Sequence, residues 1–199
     1  MRRLVLVRHG KAVASRSRVV GHLDRPLSQA GARAVADLAA SWRGPIPDLL
    51  VASDLRRAAD SARLLADHLG VAAQIDPRLR ELSFGQWEGM TWEQVHRRDA
   101  SLLAAWSQRW WDVAPPAGET FEELSRRVLA WFADCRRRGA DVVVAVVHGG
   151  SLRALLSGLV GVPRGKLFEL RLDFSRVTSI EVGARSCRLA FLNHERFEP

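Results

Sequence analysis

The 199-residue chain contains no tyrosine, two lysines (Lys11 and Lys166) and two cysteines (Cys135 and Cys187). Two cysteines cannot build a disulfide scaffold. Neither has an arginine six positions downstream, which argues against a cysteine-phosphatase loop, and both read as reduced packing residues. Long apolar runs are also missing. None exceeds six residues, the length of Val142 to Val147, far short of a membrane span. Leu4 to Val7 behind Arg2 and Arg3 is too short for a secretory or twin-arginine signal. No paired metal-ligand spacing occurs. Gly161 to Lys166 is one residue short of a nucleotide-phosphate loop, and Leu167 stands where that loop needs Ser or Thr. No metal and no cofactor are therefore expected. Length and a 47% hydrophobic content point to one globular domain, read as cytoplasmic.

Arginine is abundant: 28 residues carry most of a net charge of +8. The skew could reflect coding bias or a preference for anionic partners. The arginines are spread along the chain without a helix-turn-helix, zinc-finger or RNP-type pattern, so nucleic acid is not the expected partner.

The hydrophobic pattern alternates between strand and helix. Leu4 to Val7 is a short continuous apolar run, the signature of a strand buried on both faces; Asp48 to Ala52 and Val71 to Ile75 read as further short strands, and Val142 to Val147 as the clearest central one. Between them, Ser28 to Trp42, Asp54 to Leu69, Thr91 to Trp111, Thr120 to Arg137 and Ser151 to Leu159 read as helices. Thr120 followed by Glu123 is a capping box, and Gly70 is a stop signal. Val177 to Val182 and Cys187 to Leu192 read as a closing strand pair. This order predicts a three-layer α/β/α fold with a mostly parallel central sheet.

In such sheets ligands sit beyond the carboxyl ends of the strands. Those ends carry Arg8-His9-Gly10, then Ser53 with Arg56 and Arg57, then Arg80-Glu81, and finally His148-Gly149-Gly150. Guanidinium groups match phosphate oxygens bidentately and stay charged. A neutral imidazole can attack phosphorus, and clustered positive charge can stabilise the transferring group. A glutamate can protonate the leaving oxygen and later activate water. Taken singly, each residue has a bland reading: His148 as a helix cap, Arg56 and Arg57 as a solvated helix face. Their joint placement points to phosphoryl chemistry. Glycines after both histidines suggest close backbone approach to a ligand.

The chain resembles the histidine phosphatase superfamily, which includes the phosphoglycerate mutases. Five blocks carry the resemblance in order: Arg8-His9-Gly10; Gly21 to Gly31 (GHLDRPLSQAG); Ser53 to Ala62 (SDLRRAADSA); Glu81 to Gly89 (ELSFGQWEG); and Val147 to Gly150. It implies a phosphoglycerate mutase-like fold over residues 1–199, with a helical cap insertion at about 84–120. It also implies His9 as nucleophile, Arg8 and Arg57 as phosphoryl ligands, His148 as second histidine and Glu81 as proton donor. Arg57 rather than Arg56 holds the position four after the motif serine. Ser15, Gly21 and Gly149 fall at substrate-binding positions. Lys11 and Ser15 depart from the usual pattern, Ser15 standing where many members carry asparagine.

The compact stretch from Glu81 to His148 favours a phosphatase over a mutase. Its segments look most like the α-ribazole phosphatase branch, which removes the 5′-phosphate of α-ribazole phosphate in cobalamin assembly. The implied partner is a small phosphorylated substrate, with neither nucleic acid nor membrane. Of Trp92, Trp106, Trp110 and Trp111, most are expected to pack the cap and one to line the substrate pocket. Glu119, Glu122 and Glu123 are read as capping and helix-dipole partners. Alternatives are a broad phosphosugar or phosphoglycerate phosphatase, a mutase, or a non-catalytic anion-binding regulator. Exposed tryptophans or the closing strands could form a homodimer interface.

Overall fold

The structure, a computed structural model, describes residues 1–13 and 17–198. Among the described residues eleven α-helices and β-strands follow one another: β1 (Arg3–Arg8), α1 (Gln29–Ala40), β2 (Leu49–Ala52), α2 (Arg56–Leu69), β3 (Ala73–Ile75), α3 (Trp92–Arg109), α4 (Phe121–Arg137), β4 (Val142–Val147), α5 (Gly149–Val160), β5 (Val177–Val182) and β6 (Cys187–His194). The six strands form one sheet in the order β3-β2-β4-β1-β5-β6. The first four are parallel, and β5 and β6 close the sheet antiparallel.

Side chains alternate across each strand, and here both faces are apolar. Leu4, Leu6, Val51, Val143 and Ala145 face α4 and α5 together with Leu124, Val128 and Leu155. Val5, Val7, Leu50, Val144 and Val146 face α1 and α2, where Val35, Ala58, Ala62 and Leu65 meet them. That is the predicted three-layer arrangement. No helix among the described residues is long and apolar enough to cross a membrane.

The helix signals hold with shifts at the ends. Ser28 caps α1 by accepting from the Gly31 N–H at 3.0 Å, and Thr120 and Glu123 form the expected box on α4, an arrangement worth about 1 kcal/mol. Thr91 and Gln94 make a second box on α3. Helix α3 is interrupted at Asp99 (φ −132°, ψ 43°), whose carboxylate accepts from the Trp87 indole at 2.8 Å. Val71 is not in a strand, because its N–H closes the preceding helix on the Ala66 carbonyl. Helix α5 starts at Gly149, two residues before the sequence-based boundary, with His148 in extended backbone just ahead of it.

Candidate active site

Parallel pairing of β1 with β4 sets Arg8 opposite Val147. The next residue of each strand therefore emerges side by side, and the His9 N–H donates to the Val147 carbonyl at 3.0 Å. This register brings the His9 and His148 rings to 4.8 Å between centroids. Strand β2 lies on the other side of β4, with Ala52 opposite Val146. Its continuation delivers Arg57 from the first turn of α2.

Beyond these ends lies a cavity of about 510 Å³. Arg8, His9, Gly21, Arg57 and Glu81 all line it, with Lys11, Arg25, Phe84, Trp92 and Phe174. A larger hollow, about 650 Å³, opens at the opposite edge between Arg2, Arg3, Pro45, Val142 and Gly183. It contains no histidine, so chemistry and not volume selects the site. Among the described residues no group of three or more His, Cys, Asp or Glu side chains could hold a metal ion.

His9 is buried, and its Nδ1 lies 2.7 Å from the Gly10 carbonyl. A carbonyl only accepts, so Nδ1 carries the proton and Nε2 keeps its lone pair. Burial above all, then the Arg57 charge, pulls the His9 pKa down to about 3, with the Gly10 carbonyl opposing and Arg8 assisting the shift. His148 is fully buried, and neither ring nitrogen has a hydrogen-bond partner. Burial first, then the neighbouring His9, Arg57, Arg8 and His22, holds its pKa well below the usual value. Both imidazoles are thus neutral at neutral pH.

Arg57 is only 2% exposed. It donates to the Gly21 carbonyl at 2.7 Å and the Leu23 carbonyl at 2.9 Å, so the Gly21 loop aims the guanidinium. Arg56 is exposed and its N–H is capped by Asp24 at 2.7 Å. Arg8 lies 3.9 Å above the Phe174 ring and donates to the Leu172 carbonyl, while its Nε is buried without a partner. Gly149 is the first residue of α5 and sits beside the Arg8 and Arg153 guanidinium groups. Ser15 lies outside the described residues.

Glu81 anchors one carboxyl oxygen, Oε1, on the N–H groups of Leu82 at 2.9 Å and Gly150 at 2.7 Å. Gly150 is the second residue of α5, so the anchor is the positive end of a helix. With Oε1 occupied, Oε2 is the oxygen free to exchange a proton.

The family model for the histidine phosphatase superfamily, branch 1, matches residues 4–195. The chain belongs to the histidine phosphatase superfamily. It is 31% identical over 193 residues to an adenosylcobalamin/alpha-ribazole phosphatase of Escherichia coli K12, covering 96% of this chain and 95% of the relative. It is 38% identical over 174 residues to a glucosyl-3-phosphoglycerate phosphatase of Mycolicibacterium vanbaalenii, covering 82% and 76%. The solved alpha-ribazole phosphatase of Shigella flexneri superposes with a TM-score of 0.90 at 29% identity, covering 99% of this chain and 98% of that one.

Several residues of this histidine phosphatase escaped the sequence reading. Gly10 makes room not for a ligand but for α1: a Cβ there would stand 2.6 Å from the Gly31 carbonyl oxygen and 2.8 Å from Val35 Cγ2. Its N–H is taken by Ser61 Oγ at 3.0 Å. Glu119 is not a capping partner; it pairs with Arg127 and accepts from the Ser83 N–H at 3.1 Å. Glu88 accepts from the N–H groups of His22 and Phe84, tying the Gly21 loop to the Glu81 segment. Phe174 flanks His9, with ring centroids 5.3 Å apart. Of Trp92, Trp106, Trp110 and Trp111, Trp92 alone lines the cavity, 43% exposed. Trp106 stacks behind it at 5.7 Å. Trp110 packs edge-on to Phe121 and Phe168, away from the cavity, and Trp111 packs with it against the main core.

Proposed function

We propose that the chain is a phosphomonoesterase working through a phosphohistidine on His9 without a metal ion. The observation that carries this reading is the set of buried, unpartnered nitrogens around His9: both ring nitrogens of His148 and Nε of Arg8. Buried polar atoms without partners are rare in folded proteins. A phosphoryl group at His9 supplies acceptor oxygens for the Arg8 Nε–H and for the single N–H of neutral His148, with Arg57 lining the same cavity.

The reaction then balances in two steps. Nε2 of His9 attacks phosphorus, the phosphorus–oxygen ester bond breaks, and the proton on Glu81 Oε2 goes to the leaving oxygen. The Gly10 carbonyl receives the Nδ1 hydrogen bond and supports the positive charge that grows on the ring. In the second step the Glu81 carboxylate removes a proton from water as the oxygen attacks phosphorus. The phosphorus–nitrogen bond breaks, releasing inorganic phosphate and restoring neutral His9.

As substrate we assign α-ribazole 5′-phosphate, with residues 84–120 acting as a cap. Trp92 and Phe84 support this: Trp106 covers one face of Trp92, while the cavity side can take a flat base. Relatives with that name match over nearly the whole chain. A second reading, a phosphorylated glycerate derivative, draws support from Lys11 and Arg25. Both line the cavity, and Arg25 Nε is buried and unpartnered, which suits a further anionic group. The unpaired cysteines fit a reducing, cytoplasmic compartment. A homodimer is the remaining proposal, read directly by light scattering.

The test is hydrolysis of p-nitrophenyl phosphate in excess EDTA by the wild type and by His9→Ala, followed by kcat/KM on both candidate substrates. Turnover that resists EDTA and vanishes in the variant is expected. Base stacking predicts a preference of about tenfold or more for the α-ribazole ester, lost in Trp92→Ala. A preference for the glycerate ester would overturn the substrate assignment and leave the chemistry standing.

A further inference from the structure

Residues 78–83 carry Glu81 into the cavity, yet beyond the short turn Pro77–Leu79 they belong to no helix or strand until Gly85. Irregular backbone of this kind has carbonyl groups that no ladder satisfies. One side chain takes them up. Arg127, on α4, donates through Nη1 to the carbonyls of Arg78 at 2.6 Å and Arg80 at 2.8 Å. Through Nη2 it donates to the Glu81 carbonyl at 2.8 Å and to Glu119. Its Nε bonds the second Glu119 oxygen at 3.1 Å. All five guanidinium hydrogens are thereby used. Glu119 in turn accepts from the Ser83 N–H, and His22 Nε2 reaches the Glu81 carbonyl from the other side at 2.7 Å.

We propose that Arg127 is the positioning residue for the Glu81 carboxyl: it sets the proton-transfer geometry of the reaction while touching neither substrate nor phosphoryl group. The inference rests on Glu81 being the acid. Arg127 is absent from the cavity wall, so its effect reaches the chemistry through the backbone of residues 78–83, directly and by way of Glu119. Lysine cannot replace it, because an ammonium has three hydrogens and no planar fork to span three carbonyls and a carboxylate.

The leaving group separates this role from a general contribution to folding. A p-nitrophenolate leaves without a proton, whereas an alkoxide needs one. We would measure kcat/KM for p-nitrophenyl phosphate and for an alkyl phosphate, glycerol 1-phosphate, which report the transfer to His9. The enzymes are wild type, Glu81→Gln, Arg127→Ala, Arg127→Lys and the double variant Glu81→Gln/Arg127→Ala. A misplacement of the acid by about 1 Å can cost on the order of a hundredfold. The ratio of alkyl to aryl rates is expected to fall at least tenfold in Arg127→Ala. It should fall similarly in Arg127→Lys, and no further in the double variant than in Glu81→Gln alone.

Equal losses on both esters, with the ratio unchanged, would overturn the inference. So would a double variant in which the two effects multiply. If Glu81→Gln itself leaves the ratio unchanged, the acid assignment is wrong and the inference falls with it, a result distinguishable because Arg127→Ala is read separately. Should Arg127→Ala fail to fold, Glu119→Gln weakens the same frame from its other end, and the same ratio decides.

Discussion

Replacing Gly150 by alanine separates the proposed proton-donor role of Glu81 from the stability of the fold. A Cβ at Gly150 would fall well inside contact distance of the anchored Glu81 oxygen, 3.3 Å from Glu81 Cδ and 3.3 Å from Leu124 Cδ2. The group in the way is the far end of a flexible side chain, so the carboxyl turns aside and the backbone of α5 stays where it is. Alanine suits a helix better than glycine by up to about 1 kcal/mol, which offsets the stability lost with the Glu81 anchor, so Tm should change little. What is lost is the hydrogen bond from the Gly150 N–H to Oε1, 2.7 Å long. The carboxyl that donates a proton is neutral, and a hydrogen bond between neutral groups contributes about 0.5–1.5 kcal/mol, which corresponds to roughly a 2- to 13-fold change in rate. The assay is kcat/KM on an alkyl phosphate beside thermal unfolding of the same preparation. An unchanged rate with unchanged Tm would refute the reasoning that this helix end holds the acid. A large fall in Tm would show that the backbone, rather than the carboxyl, gives way.

Two further outcomes follow from the geometry. His9 and His148 are held neutral in the fold, with the His9 pKa near 3, while an unfolded histidine titrates near 6.5. As pH falls from about 6.5 towards 3, the unfolded chain takes up protons that these folded residues do not. Each should therefore remove up to about 1.4 kcal/mol of stability per pH unit. Chemical denaturation between pH 6.5 and 5 should show this slope, and His148→Gln should flatten it; an unaltered slope contradicts the neutral state. Arg57→Lys cannot span the Gly21 and Leu23 carbonyls and the phosphoryl group together, so kcat/KM on p-nitrophenyl phosphate should fall by about a hundredfold. A loss below threefold would show that Arg57 serves only the loop.

The layers and most of the candidate site were legible because they depend on short-range patterns. Continuous apolar runs marked β1, β2 and β4, and the parallel-sheet rule then named His9, Arg57, Glu81 and His148 from their places after the strands. The exact meeting of the two histidines needed the register of β1 against β4, which no local pattern encodes. The same limit hid Arg127. Its carbonyl partners lie 46 to 49 residues away in the chain, and on α4 it looks like any other arginine of a polar helix face. Gly10 shows a different failure: a glycine beside a catalytic-looking histidine invites a ligand explanation, whereas the close neighbour is the backbone of α1. Among the tryptophans, composition could not tell Trp92 from Trp110, because only the turn of the chain after Gly89 puts one at the cavity and the other against Phe121.

The central claim is that phosphate passes through Nε2 of His9. Rapid acid-free quenching of the enzyme during turnover of a phosphomonoester, followed by peptide mass spectrometry, measures it directly. The account predicts an alkali-stable, acid-labile phosphoryl group on the peptide containing His9, absent in His9→Ala and longer-lived in Glu81→Gln. Active wild-type enzyme with no phosphorylated His9 peptide, or with His9→Ala still turning over at the wild-type rate, would contradict it.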